Sequence, residues 1–167
     1  YYDAVLDLSR LVLRALARGL GKQPDFFAPA YVNPLGRGQL VYYPPQTDTD
    51  RDAERFGAAA HSDFGVFTIL MQDNAGGLQV LNKAGIWIEA PPLKDSFVCN
   101  IGDLLERWTN GQLVSTKHRV VSRTSNARFS IPIFCDPASE AVIGPRDFDE
   151  LASYEAFAPC EAGQYIQ

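Results

Sequence analysis

Val66-Phe-Thr-Ile-Leu-Met-Gln72 is followed closely by Leu78-Gln-Val-Leu81 and Ile86-Trp-Ile-Glu89. All three runs are rich in β-branched, aliphatic and aromatic residues, and all are too short for stable helices. The last two are separated by Asn82-Lys-Ala-Gly85, a turn signal that predicts a hairpin. Working outward, further strands are expected over Ser96–Ile101, Leu113–Val121 and Arg128–Phe134, and upstream over Gln39–Tyr43, stopped by Pro44-Pro45. Gly102–Thr109 reads as a helical turn ending at Asn110-Gly111. Many short strands with turns between them predict a mainly β chain, a sandwich or double-sheet jelly roll, with flanking helices.

The flanks read differently. Val5, Leu8, Val12 and Leu16 recur with a helical period, while Arg10, Arg14 and Arg18 fall on another face, and Gly19 and Gly21 mark the end. Tyr1–Arg18 is thus expected to be an amphipathic helix rather than a signal peptide. Lys22–Gly38 reads as irregular, Gln46–Gly57 as a polar surface loop, and Pro145–Tyr154 as a loop or short helix. A length of 167 residues suits one domain, and 46% apolar content suits an ordinary globular chain. The net charge of −5 argues against nucleic-acid or anionic-membrane partners, which require a basic surface. No apolar run is long enough to span a bilayer. Cys99, Cys135 and Cys160 are odd in number and widely spaced, so reduced thiols in a cytoplasmic protein are expected.

His61 and His118 are the chain's two histidines. His61 lies two residues before Asp63, and in extended backbone such residues point to the same side. The pair can therefore present one nitrogen and one oxygen to a common point. His118 falls on an expected strand in which Val114, Thr116, His118 and Val120 share one face and Ser115, Lys117 and Arg119 the other. The polar face belongs to solvent, so His118 points inward and requires a partner. A metal shared with His61 and Asp63 would supply it, and two imidazoles with one carboxylate are the donor set of non-haem iron(II) sites. Taken singly, His-x-Asp also arises by chance, and an inward histidine can equally be a hydrogen-bonded core residue.

Arg128 and Ser130 form a second i, i+2 pair in Arg128-Phe-Ser-Ile-Pro-Ile-Phe134. An inward arginine matches a ligand carboxylate through its planar fork, with the serine hydroxyl as a further donor. A protein Asp or Glu, or solvent at an edge strand favoured by Pro132, would also account for it. One of Tyr42 and Tyr43 faces inward by alternation.

Seven blocks now stand in order: Val41-Tyr-Tyr-Pro-Pro45, His61-Ser-Asp-Phe-Gly65, Gly76-Gly-Leu-Gln-Val80, Asn100-Ile-Gly-Asp103, Arg107-Trp-Thr-Asn-Gly111, Ser115-Thr-Lys-His-Arg-Val120 and Arg128-Phe-Ser-Ile-Pro132. Together they resemble the isopenicillin N synthase-like branch of the 2-oxoglutarate and iron(II)-dependent oxygenases, which includes anthocyanidin synthase, flavonol synthase and gibberellin oxidases. The resemblance covers roughly the whole chain and is densest from Gln39 to Phe134. It implies a double-stranded β-helix, with His61, Asp63 and His118 as ligands of Fe(II). It implies Arg128 and Ser130, with the hydroxyl of Tyr43, as the clamp for the distal carboxylate of 2-oxoglutarate. Phe134 and Asp136 match family positions that touch substrate, though they equally suit a core residue and a loop residue.

The implied reaction consumes O2 and 2-oxoglutarate, releases succinate and CO2, and oxidises an unactivated C–H bond of a small organic molecule, by hydroxylation, desaturation or cyclisation, as in secondary metabolism. Family members carry a further N-terminal region and a C-terminal helix, so residues 1–167 are expected to be a catalytic core without them. A monomer is assumed. Three alternatives remain at this point: an Fe(II) oxidase of the same fold that uses no 2-oxoglutarate, of the isopenicillin N synthase or aminocyclopropane carboxylate oxidase type; a catalytically silent jelly-roll binding domain; and a zinc enzyme with the same ligands.

Overall fold

The computed structural model describes residues 1–45, 56–121, 126–148 and 156–167. Of the loop expected over Gln46–Gly57, residues 46–55 lie outside the described residues, as do 149–154 of the expected tail.

Helix α1 (Tyr2–Gly19) opens the chain. Its buried stripe is Val5, Ser9, Leu13 and Ala17, an i, i+4 series. Leu8, Val12 and Leu16 are partly buried beside that stripe rather than at its centre, so the expected face is rotated by about one position. Ser9 is tolerated within it because its hydroxyl donates to the Leu6 carbonyl at 2.7 Å.

The strands are β1 (Leu35–Gly38), β2 (Val41–Tyr43), β3 (Phe56–His61), β4 (Phe67–Gln72), β5 (Leu78–Leu81), β6 (Trp87–Glu89), β7 (Val98–Ile101), β8 (His118–Val121), β9 (Arg128–Asp136), β10 (Val142–Ile143) and β11 (Cys160–Glu161). A short helix α2 (Asp103–Trp108) follows β7, and α3 (Ala162–Ile166) follows β11. Two antiparallel sheets carry the fold. The major sheet has the order β1-β9-β4-β7, with β2 also on β9, and the minor sheet has the order β3-β8-β5-β6. They face each other across a cavity, which is the double-stranded β-helix expected from the strand pattern.

Alternation along β4 and β9 divides the major sheet into two faces. Phe67, Ile69, Ile133 and Cys135 point outward, are each at most 2% exposed, and pack with Val5, Leu13 and Ala17 of α1 into the main core. Thr68, Leu70, Arg128, Ser130, Pro132 and Phe134 point inward to the cavity. Pro132 fits mid-strand because it falls where β9 changes partner: β1 pairs from Ile133 onward and β2 up to Ser130.

Two expectations need correction. The strand predicted over Leu113–Val121 is shortened to His118–Val121, and Val114 is exposed rather than inward. The preceding amides are bound elsewhere: Glu106 Oε2 accepts the Ser115 N–H at 2.6 Å and Thr109 Oγ1 the Leu113 N–H at 3.1 Å. Side chains at the end of α2 thus hold the segment out of the ladder. The stretch predicted as irregular before Gln39 contains β1, whose Leu-Gly-Arg-Gly composition carries little strand signal. Among the described residues, no helix is long and apolar enough to cross a membrane.

Candidate metal centre

His61 ends β3 and His118 begins β8, and the two are direct cross-strand partners. Their ring centroids stand 4.3 Å apart. His61 Nδ1 lies 2.7 Å from the Ala59 carbonyl and His118 Nδ1 3.0 Å from the Thr116 carbonyl. A carbonyl oxygen only accepts, so each Nδ1 must be the protonated nitrogen. In the neutral imidazole that leaves the lone pair on Nε2, which is the tautomer a metal requires.

Both Nε2 atoms face one oxygen. Asp63 Oδ1 is 4.0 Å from His61 Nε2 and 3.7 Å from His118 Nε2. These distances are too long for hydrogen bonds. They suit two bonds of roughly 2.0–2.2 Å meeting at an ion between the atoms. The other carboxylate oxygen is already engaged, since Oδ2 accepts from Thr68 Oγ1 at 2.5 Å and from Asn100 Nδ2 at 2.7 Å. The carboxylate is therefore fixed in rotation with one oxygen free. All three donor atoms lie within 4.8 Å of one another, and together they could hold a metal ion. The Asp63 side chain is 9% exposed and that of His61 48%, so the group is open on the His61 side.

The turn carrying Asp63 is held by its neighbours. The amide of Asp103 donates to the Asp63 carbonyl at 2.8 Å, and that of Leu104 to the Gly65 carbonyl at 3.0 Å. A Cβ on Gly102 would stand 2.2 Å from the Gly65 carbonyl oxygen, so only glycine permits this approach. Asn100-Ile-Gly-Asp103 thus acts as the seat of the Asp63 turn. Trp108 of α2 in turn bonds Asp147 through Nε1.

A cavity of about 210 Å³ runs from the three donors to Arg128. Arg128 is 4% exposed. Its guanidinium donates to the Gly76 carbonyl at 3.0 Å, Ser130 Oγ at 3.1 Å and Gln72 Oε1 at 3.2 Å, and it lies 4.8 Å from the Tyr43 ring centroid. All these partners are neutral. No carboxylate pairs with Arg128 among the described residues. A buried cation with only neutral acceptors calls for an anion. Ser130 accepts from Arg128, which leaves its own hydroxyl proton to donate into the cavity. Gly76 and Gly77 both adopt positive φ, and a Cβ on Gly77 would stand 2.3 Å from the Val121 carbonyl oxygen.

Phe134 and Tyr43 line the same cavity. Asp136 does not. It is fully buried, with Oδ1 accepting the Val66 N–H at 3.0 Å and Oδ2 bonded to Arg37 at 3.2 Å. The expectation that it touches substrate is corrected by this placement. Thr68, Asn100, Gln72 and Gly76 bear on the site, yet the motifs assigned them no role. Their partners are Asp63, on the turn after β3, and Arg128, on β9, and the pairing of the strands brings them together.

Comparison with known proteins agrees with this geometry. Residues 38–137 match the family model of the 2OG-Fe(II) oxygenase superfamily. The chain is 37% identical over 135 residues to the 2-oxoglutarate-Fe(II) type oxidoreductase hxnY of Emericella nidulans, which covers 80% of this chain and 39% of that protein. A full-length Neurospora crassa protein solved in complex with alpha-KG superposes with a TM-score of 0.90 at 31% identity, covering 99% of this chain and 53% of that one. JOX2, solved with 2OG, Fe and JA, superposes with a TM-score of 0.89 at 32% identity, covering 99% and 49%. The chain spans about half the length of the relatives it matches. With its two facing sheets, its His-Asp-His donor group and a match over residues 38–137, the chain belongs to the 2OG-Fe(II) oxygenase superfamily.

Proposed function

We propose that this chain forms the catalytic core of an Fe(II)- and 2-oxoglutarate-dependent oxygenase that oxidises an unactivated C–H bond of a small organic molecule. His61, Asp63 and His118 hold the iron, and Arg128, Ser130 and Tyr43 hold the distal carboxylate of 2-oxoglutarate. One observation carries the reading: a single cavity joins a set of metal donors to a buried arginine that lacks a carboxylate partner among the described residues. When bound, iron and 2-oxoglutarate supply reduction of O2 coupled to oxidative decarboxylation of the keto acid and oxidation of the substrate, releasing succinate and CO2.

The chain's own residues supply geometry and electrostatics. His61, Asp63 and His118 would supply three protein donors to the ion. Asp63 contributes one negative charge, and Thr68 and Asn100 keep its free oxygen aimed at the ion. Arg128 fixes the far end of the cosubstrate, which orients its near end without immobilising a longer chain. Leu70, Leu78, Val120 and Pro132 line the intervening wall with apolar surface and limit water. Phe134 lines the same cavity and is proposed to contact the substrate.

The test is an anaerobic titration of the protein with Fe(II) and 2-oxoglutarate, followed by visible absorption, with succinate measured on admission of air. A charge-transfer band is expected in the wild type and is lost in His61→Ala and Asp63→Ala. A folded protein that shows no band, or a His61→Ala variant that keeps it, would overturn the assignment.

A further inference from the structure

We propose that Asp136 is a positioning residue for the metal centre: it fixes the turn that carries Asp63 by accepting the Val66 amide, while Arg37 compensates its charge. The inference rests on the reading of His61, Asp63 and His118 as metal ligands.

Asp136 ends β9 on the cavity side of the major sheet, yet its side chain turns away from the cavity and into protein. Oδ1 reaches the Val66 N–H at 3.0 Å, three residues beyond Asp63. The fit is close, because a Cβ on Gly65 would stand only 1.9 Å from that oxygen. Gly65 is therefore the residue that lets the carboxylate seat against the turn.

The other side of the turn is already bound. The Asp63, Phe64 and Gly65 carbonyls accept amides of Asp103 and Leu104, and the Val66 carbonyl accepts that of Gly102. Backbone donors from the start of α2 hold the turn's carbonyls, and Asp136 holds its following amide. Between these two grips the Asp63 side chain has little freedom to swing.

A carboxylate in this setting is costly to keep ionised, since burial raises its pKa. The Val66 hydrogen bond and Arg37 act in the opposite sense. The Arg37 side chain is 51% exposed, so it provides its charge from the solvent side, and its guanidinium also lies 5.5 Å from the Phe134 ring centroid. An uncharged acceptor at position 136 would serve the turn as well as a carboxylate does. That separates a positioning role from a general need for the ion pair.

The experiment measures Mn(II) affinity of the folded protein by electron paramagnetic resonance, without 2-oxoglutarate, on variants whose far-UV circular dichroism matches wild type. Asp136→Ala removes the acceptor and is expected to weaken Mn(II) binding about 10- to 100-fold, the range for loss of a group that orients a ligand. Asp136→Asn keeps an oxygen for Val66 and is expected to stay within about threefold of wild type. Gly65→Ala, which pushes Asp136 off the turn from the other side, is expected to weaken binding about tenfold or more and decides the matter if Asp136→Ala does not fold. Wild-type affinity in Asp136→Ala or Gly65→Ala overturns the proposal, as does an Asn variant as weak as the Ala variant. Asp63→Ala is the control: if it still binds Mn(II), the ligand assignment itself fails, whereas loss there with retention in Asp136→Ala removes only the positioning role.

Discussion

The two faces of strand β9 meet opposite demands. Ile133 and Cys135, on the outer face, lie under α1 and are 2% exposed, with aliphatic and aromatic neighbours. Arg128 and Ser130, on the inner face, are just as buried, at 4% and 2%, yet each is polar and hydrogen-bonded. Equal burial therefore has two meanings on one strand. On the outer face it stabilises through dispersion and removal of apolar area from water. On the inner face it raises the cost of any unpartnered charge, so an incoming anion gains what water cannot provide. Phe129 shows that cover, not alternation alone, makes a core: it shares the outer face but is 54% exposed, with Tyr42 beside it.

The contrast breaks most visibly at Arg128. Replacement by Met keeps the bulk of the stem and removes the charge. Losing one partner of a desolvated charge pair costs about 2–5 kcal/mol, so the dissociation constant of 2-oxoglutarate should rise roughly 30-fold to several thousand-fold. Calorimetric titration of the Fe(II)- or Mn(II)-loaded protein measures it. The melting temperature should hold or rise, because the apo fold no longer carries a buried cation among neutral groups. A large fall in stability with unchanged affinity would show that Arg128 serves the fold rather than a ligand.

Ile133→Ala is the converse. It leaves a cavity under α1 and should cost about 2–5 kcal/mol, a fall in melting temperature on the order of 10 °C. Metal and cosubstrate affinities should stay close to wild type, since its side chain belongs to the outer core and not to the cavity lining. Denaturant unfolding and the same titrations separate the two outcomes. Between these extremes lies Asn100→Ala, which removes one of two hydrogen bonds to Asp63 Oδ2. Metal affinity should drop about 10- to 100-fold, and Thr68→Val should do likewise.

This division also explains what could be read from residues alone. The inner and outer faces of β4 and β9 follow from alternation, and the His-x-Asp and Arg-x-Ser pairs follow from the same period of two, so the candidate metal donors and the proposed clamp pair stand out through local spacing. Thr68, Asn100, Gln72 and Gly76 do not. A threonine in a strand and an asparagine after one are unremarkable until Phe134↔Thr68↔Asn100 become neighbours across β9, β4 and β7. Strands β1 and β3 are likewise hidden, because Leu-Gly-Arg-Gly and Phe-Gly-Ala-Ala-Ala-His lack β-branched residues and owe their extension to the strands they pair with. Motif position alone sets Asp136 at the substrate, whereas its turn away from the cavity toward Val66 depends on Gly65, in the turn before β4.

The smallest effect probes the dryness of the outer face without changing it. Cys135 and Cys99 flank β4 on opposite sides, paired with Phe67 and Ile69 respectively. Cys99 sits on an exposed position, whereas Cys135 lies under α1, and burial pushes its thiol up to about 12. Reaction with an alkylating reagent requires both access and thiolate. At pH 8 in native buffer, Cys99 should therefore alkylate while Cys135 remains unmodified, and peptide mass spectrometry reads each separately. Denaturant should make the two equivalent, because it restores solvent and an ordinary thiol to both. Rapid native labelling of Cys135 would mean that α1 opens from the sheet, and the outer face would then lose its claim to be the rigid half of the comparison.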